Sequence, residues 1–318
     1  YELLATIHQG KHSRIYRVQD KLLGRTLALK HIEQSYPDRA AYLQQMKDRT
    51  ALHHPNILRI YDIDDRQGRI AMEYVAGHDL RYVLRLKGAL APKMVMYIAT
   101  QLVNGLHQAH NHGIIHHALT PEHILLTRQC HLKITAFRAP DSFMQLQKTD
   151  DPYKYLYIPP ELFRQATLTV ASNVYSFGVI LYEMLVGSTP FRLQQLRAFL
   201  HQHDPLEYDD TPLPQGIQPI IRRCLALSPD QRYPHIRAVG EKLIEWYKHG
   251  KRQTAHDENI RTYKDYLLMA WADGAISPVE ADFLAHKRQE LHITASEAST
   301  AETEVKEELN ALLNPPDA

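Results

Sequence analysis

The spacing of apolar residues changes along this chain. Over the first 75 residues they come in short runs bounded by polar residues or glycine: Ile15-Tyr16-Arg17-Val18, Leu27-Ala28-Leu29-Lys30, Ile57-Leu58-Arg59-Ile60 and Ile70-Ala71-Met72. Runs of this length, partly β-branched, predict strands. Between Lys30 and Ile57 the stretch Ala40 to Leu52 holds no Gly or Pro and is rich in helix formers, which predicts one helix. From residue 92 the period lengthens. Met94, Ile98, Leu102 and Leu106, with Val95 and Val103 beside them, form the stripe of an amphipathic helix. Pro92 suits its first turn and Gly113 follows its end. Two short strands are expected around Ile124 to Ile134, an apolar helix over Ala171 to Leu185, and mostly helices to about Lys248.

The pattern then breaks. His249 to His256 is polar and charged, as a linker would be. Beyond it, Ser277-Pro278-Val279-Glu280 and Thr294-Ala295-Ser296-Glu297 both have the form of capping boxes. They predict helices over roughly 258–272, 278–291 and 295–313. A unit of this size buries too little surface to be stable alone, so it is expected to dock on the rest of the chain.

Composition narrows the class. The chain has 318 residues with 37 basic and 36 acidic side chains, a net charge of +1. That leaves no cationic excess for holding a nucleic acid by bulk charge. The 44% hydrophobic content supports an ordinary core. Cys130 and Cys224 are too few for a disulfide framework or a cysteine-based zinc site and suit a cytoplasmic setting. The longest apolar stretch, Val174 to Val186, is interrupted by Ser176 and Glu183 and is too short for a membrane helix. A chain that opens at Tyr1 reads as a fragment. Glycine is scarce at 13 residues and histidine abundant at 20.

Several motifs, taken together and in chain order, resemble the eukaryotic-like protein kinase fold in its bacterial Ser/Thr form. They are His54-Pro55-Asn56-Ile57, the hinge-like Met72-Glu73-Tyr74-Val75, Gly113-Ile114-Ile115-His116 before a catalytic loop, Pro159-Pro160-Glu161, the helix Val174 to Leu185, and Arg232. The resemblance implies an α+β, two-lobed protein-kinase-like fold over 1–249. The small β-rich N-lobe would span 1–73, the hinge 74–77 and the large helical C-lobe 78–249. A linker at 250–257 would lead to a small all-α helical unit at 258–318. Ala272-Asp273-Gly274-Ala275-Ile276-Ser277-Pro278-Val279-Glu280, followed by Leu291-His292-Ile293-Thr294, gives that unit a resemblance to TerB-like domains. The same run echoes an EF-hand loop, but Met269 and Trp271 fall where oxygen ligands are needed.

The resemblance also shows what is missing. Where the family reads H-R-D-L-K-P-x-N, this chain reads His116-His117-Ala118-Leu119-Thr120-Pro121-Glu122-His123. The orienting aspartate is Ala118, the loop lysine is Thr120, and the metal-binding asparagine is His123. The DFG motif is Ala136-Phe137-Arg138, without its carboxylate. In the phosphate loop, His8 to Ile15, only Gly10 remains of the glycines. Lys30 survives, with Gln45 at the position of its helix glutamate. Ile15, Ala28 and Leu125 keep the apolar positions around an adenine, so these three and Lys30 outline a vestigial nucleotide pocket. Glu161 and Arg232 are expected as a buried ion pair, with Phe137 and His116 as structural residues and Asn173 in place of the central helix's aspartate.

The expectation from these losses is a catalytically inactive pseudokinase, a protein-interaction or allosteric signalling module with an unidentified protein partner. It would have no metal and no cofactor beyond weak ATP binding without magnesium. The alternative is a divergent ATP-binding transferase or nucleotide sensor built on Lys30. Ser142, Thr149, Tyr153, Tyr155 and Tyr157 fall in the activation-segment region and are expected on a surface loop. His107, His110, His112, His116, His117 and His123 raise the question of a metal switch, with no carboxylate or cysteine beside them to favour it.

Overall fold

The computed structural model describes residues 1–137, 152–164, 166–202, 206–250, 255–271 and 274–313. Five strands form an antiparallel N-terminal sheet: β1 (Glu2–Gln9), β2 (Ser13–Asp20), β3 (Arg25–Ile32), β4 (Ile60–Asp64) and β5 (Arg69–Glu73), in the order β1-β2-β3-β5-β4. Alternation along β3 sends Leu27 and Leu29 to one face, where they meet Val18 and Ala71. Ile32 lies on the other face with Ile70, against Leu43 and Met46 of helix α1 (Arg39–Asp48).

Two departures from the sequence pattern stand out in this lobe. Strand β1 carries no buried residue although it contains Leu3, Leu4 and Ile7, which stay exposed; it is held at the sheet edge by its ladder to β2. The run Ile57 to Ile60, expected as a strand, does not join this sheet as a unit. The Leu58 N–H donates to the Ile134 carbonyl at 2.9 Å and the Ile134 N–H donates to the Asn56 carbonyl at 2.8 Å. Ile57 is 3% exposed and packs in the core of the other lobe. This segment therefore ties the two lobes together, and its apolar residues serve the larger core.

The second lobe starts with β6 (Gly77–Asp79) and α2 (Leu80–Lys87), capped by Asp79. Helix α3 (Pro92–Asn111) follows, then a single 3₁₀ turn at Pro121–His123 and the strands β7 (Ile124–Thr127) and β8 (Leu132–Ile134). A 3₁₀ segment at Pro152–Tyr157 leads to α4 (Pro160–Phe163) and α5 (Val170–Val186). Helices α6 (Leu193–Gln202), α7 (Gln218–Cys224) and α8 (Ile236–Gly250) complete the lobe. Helix α5 is mostly apolar and is buried along nearly its whole length, its few polar side chains included. Gly105 lets α3 approach β8: a Cβ there would stand 2.7 Å from Ile134 Cδ1 and 3.1 Å from the Asn56 carbonyl oxygen. This is the two-lobed α+β, kinase-like architecture that the motifs implied.

Three further helices follow: α9 (Ala255–Ala270), α10 (Pro278–Glu290) and α11 (Ala295–Leu313). Helix α9 begins inside the segment expected as a linker. Both capping boxes form; the Ser277 N–H donates to Glu280 Oε2 at 2.6 Å and the Thr294 N–H to Glu297 Oε2 at 2.9 Å. The unit shares one continuous core with the second lobe, through Tyr266, Leu267, Leu268 and Met269. Asp265 of α9 accepts the Ala91 N–H at 2.9 Å, one residue before α3, and so caps a helix of the other unit. The Cys130 thiol donates to the Met269 sulfur at 2.8 Å. No helix among the described residues is long and apolar enough to cross a membrane.

Candidate functional site

The register of β3 fixes Lys30. It lies opposite Ile15 on β2 and Ile70 on β5, and residues directly opposite in an antiparallel ladder share a face. Ala28 sits two residues earlier on the same face and is 6% exposed, while Ile15 and Leu125 are half-buried. The Lys30 ammonium donates to the Tyr42 hydroxyl at 2.9 Å and lies 5.1 Å from the centre of that ring. The partner expected at Gln45 is therefore replaced by Tyr42, one helical turn earlier. Gln45 Oε1 is buried without a hydrogen-bond partner. A neutral hydroxyl holds the lysine without cancelling its charge.

Below the sheet, the catalytic-loop segment is pinned from α5. Asn173 Oδ1 accepts the His116 N–H and the His110 Nε2–H, each at 2.9 Å, and Asn173 Nδ2 donates to the His116 carbonyl at 2.6 Å. The amide suits this place because it both accepts and donates. His116 is 2% exposed. Its Nε2–H donates to the Thr135 carbonyl at 2.8 Å, its Nδ1 accepts the Ala118 N–H at 3.3 Å, and its ring packs 4.7 Å from Phe137. Burial, reinforced by His123, pushes the His116 imidazole well below its ordinary range, so it stays neutral. The His123 Nδ1–H donates to the Ala118 carbonyl at 2.6 Å, with Thr120 Oγ1 at 3.3 Å from the same nitrogen. Ala136 adopts φ 57, a left-handed conformation that is uncommon outside glycine. Arg49, the C-cap residue that follows α1, donates to the Phe137 carbonyl. Arg138 lies outside the described residues, as do Ser142 and Thr149.

Arg232 and Glu161 meet in a bidentate pair, both contacts at 2.8 Å. Arg232 also donates to the carbonyls of Ala226, Ala171 and Leu227 at 2.7, 3.0 and 3.1 Å. Glu161 accepts the Ser172 hydroxyl at 2.8 Å. Burial works against the Glu161 charge, but the Arg232 hydrogen bonds hold its carboxyl below the usual range.

A second buried network was not drawn from the sequence. Arg81 donates to Glu122 at 2.9 Å, to Glu183 at 2.5 Å and to the Tyr157 hydroxyl, which itself donates to Glu183 at 2.5 Å. Its signal was available: Glu183 stands inside an apolar helix, and a buried carboxylate requires a partner. The partner's position was not readable, because Arg81 is 102 residues away.

Between these supports lies a cavity of about 180 Å³. His117, Ala118, Thr120, His123, Lys154 and Asn173 are among the residues that line it. The nucleotide-pocket residues Lys30, Ile15, Ala28 and Leu125 do not line this cavity.

Magnesium is the ion that the kinase resemblance implies, and the residues do not fit it. It needs hard oxygen donors, and positions 123 and 136 offer an imidazole and a methyl group. Among the described residues no three His, Cys, Asp or Glu side chains converge as a metal site. The histidines of 107–123 instead hydrogen-bond to separate partners: His112 donates to the Gln108 carbonyl at 2.9 Å, and His107 lies 3.3 Å from the Asn111 amide. Glu280, the last EF-hand-like position, is spent on its helix cap and on Arg128 at 3.5 Å.

The family of the protein kinase domain matches residues 1–244. Serine/threonine-protein kinase PrkC of Bacillus subtilis is 28% identical over 247 residues, covering 73% of this chain and 38% of that protein. Serine/threonine-protein kinase PknB of Mycolicibacterium smegmatis is 29% identical over 267 residues, covering 77% of this chain and 42% of its own. CBL-interacting serine/threonine-protein kinase 17 of Arabidopsis thaliana is 30% identical over 298 residues, covering 87% and 67%. The chain thus spans about two-fifths of the two bacterial relatives. These findings correct the expectation of a catalytically inactive pseudokinase, in both its parts: the relatives are named as kinases, and the matching domain points to an enzyme. There is also a physical ground. Phosphoryl transfer rests mainly on positioning and electrostatics, so substitution of an orienting carboxylate does not by itself define an inactive protein.

Proposed function

The chain belongs to the protein kinase domain family, and from that premise we propose that it is a divergent phosphotransferase that takes a nucleoside triphosphate between its lobes. One observation carries the reading: Lys30 shares a face of β3 with Ala28, is held by the Tyr42 hydroxyl, and has no carboxylate partner among the described residues. In this reading Ile15, Ala28 and Leu125 enclose the base, and Lys30 meets the phosphates. The acceptor is a protein hydroxyl, in line with the relatives named as serine/threonine-protein kinases.

The bond from phosphorus to the leaving diphosphate oxygen breaks as the bond to the acceptor oxygen forms, and the acceptor proton passes to solvent. Without a carboxylate at 118 the step is slower, by the ~10²–10⁴ that a positioned base is worth. No part is assigned to magnesium, since positions 123 and 136 lack oxygen donors. The expected TerB-like unit at 258–318, whose described helices share a core with the second lobe, is read as an interaction module for a protein partner.

Nucleotide binding is the first test. Thermal unfolding is followed with ATP, with and without divalent metal, for the wild type and Lys30→Met. The expected result is a rise in midpoint with ATP that Lys30→Met loses. Transfer of labelled γ-phosphoryl to a Ser/Thr peptide library should follow the same variant. No shift at millimolar ATP would refute the proposal.

A further inference from the structure

The cavity at the catalytic-loop segment has a charge pattern of its own. Its walls are the loop His116–His123, the 3₁₀ segment that carries Lys154, and the first turns of α5. Lys154, His117 and His123 line it, and none of the described residues that line it is Asp or Glu. Lys154 is half-buried, and among the described residues it is not seen in an ion pair. The family's loop would put an acid at 118 and a lysine at 120; here both are neutral, and a lysine enters from another element. The methyl group of Ala118 removes the charge that would repel an anion. The Thr120 hydroxyl lies 3.3 Å from His123 Nδ1, so both polar groups of the loop stand at the same wall.

We propose that this cavity is a binding site for a phosphoryl dianion, with Lys154 supplying the charge that Thr120 lacks. A lysine ammonium offers three donors on a compact cation, which suits a tetrahedral oxyanion. The assignment stands on the cavity's charges and does not require nucleotide in the cleft above. The ligand chemistry is shared by inorganic phosphate and by a phosphorylated Ser or Thr side chain.

Isothermal titration calorimetry on the whole chain, without nucleotide, tests the site. Inorganic phosphate, a phosphoserine peptide and its unphosphorylated form are compared with sodium chloride at matched ionic strength. Variants are Lys154→Met, Lys154→Arg and Lys30→Met. The expected result is saturable binding of phosphate or of the phosphopeptide. Lys154→Met should weaken it by at least about tenfold, the effect of losing a charged hydrogen bond. Lys154→Arg should restore most of it, and Lys30→Met should leave it unchanged. Tighter binding of the phosphopeptide than of phosphate would assign the site to a phosphorylated chain; equal affinities would assign it to the phosphate group alone. Either supports the proposal. Absence of saturable binding, equal affinity in Lys154→Met, or loss only in Lys30→Met would overturn it. Failure here with an intact ATP shift would leave the cleft reading standing.

Discussion

Glu161→Gln should cost the second lobe about 3–5 kcal/mol. Arg232 is 1% exposed, so the guanidinium has no access to bulk water. Its two contacts to Glu161 are both 2.8 Å. Removing one partner of a buried pair leaves the other charge uncompensated, which typically costs 3–5 kcal/mol. Gln keeps one acceptor oxygen but turns an NH₂ toward the guanidinium, so the low end of that range is the floor. At roughly 2–4 °C per kcal/mol, the unfolding midpoint should fall by about 10 °C. The pair also sets a pH slope. Glu161 titrates below its usual range when folded, so its contribution is present above its unfolded pKa and lost as acid protonates it. The variant should lack that slope. Circular dichroism during thermal and urea unfolding reads both effects. In the double variant Glu161→Leu with Arg232→Met the charge is gone, and part of the loss should return. Recovery stays incomplete because the carbonyls of Ala226, Ala171 and Leu227 lose their donor. A loss under about 1 kcal/mol, or a double variant no better than the worse single one, would refute the reasoning.

Asp265 works in the opposite direction. Burial pushes its carboxyl up to about 6 from 3.8, against the Ala91 hydrogen bond and the Lys87 charge. The stabilisation therefore is complete below 3.8 and is lost as pH rises through about 6, a span of about 3 kcal/mol. Asp265→Asn should be the more stable protein at pH 7.5 and match the wild type near pH 4; equal urea midpoints at pH 7.5 would contradict this. Asn173→Ala removes the hydrogen bonds to His116 and His110 and should cost about 2–4 kcal/mol, measured by denaturant unfolding. Cys130 is buried against Met269. Removing residues 255–318 should speed its reaction with a thiol reagent by tenfold or more, while Cys224 stays protected; unchanged labelling would show that α9 does not shield it.

Much of the fold was legible in the apolar spacing. The stripe through Met94, Ile98, Leu102 and Leu106 became α3, and Pro92 stands at its start. Both capping boxes formed where their residues stand. Local patterns failed where a residue serves a distant partner. Ile57 and Leu58 read as strand because they are apolar, yet they belong to the other lobe's core and ladder. Strand β1 buries nothing, so its apolar Leu3, Leu4 and Ile7 serve no core, and only the ladder to β2 makes it a strand.

The candidate site divides in the same way. Lys30, Ala118, His123, Ala136, Glu161 and Arg232 could be placed from motif spacing alone. The identity of Lys30's partner could not: Tyr42 and Gln45 lie one turn apart on α1, and only the approach of helix to sheet selects the tyrosine. Lys154 carried no signal, since a lysine in a polar stretch is ordinary; packing brings it to the wall shared with His117 and His123. Asp265 carried no signal in the sequence, and docking brings its carboxylate to the Ala91 N–H at the start of α3. Sequence by itself determined the elements, the kinase-like order of motifs and the chemical groups lost and kept, because those follow from neighbours within a turn or a strand. The tertiary structure alone decided which charges face one another across dozens of residues, because that depends on how the lobes and helices pack.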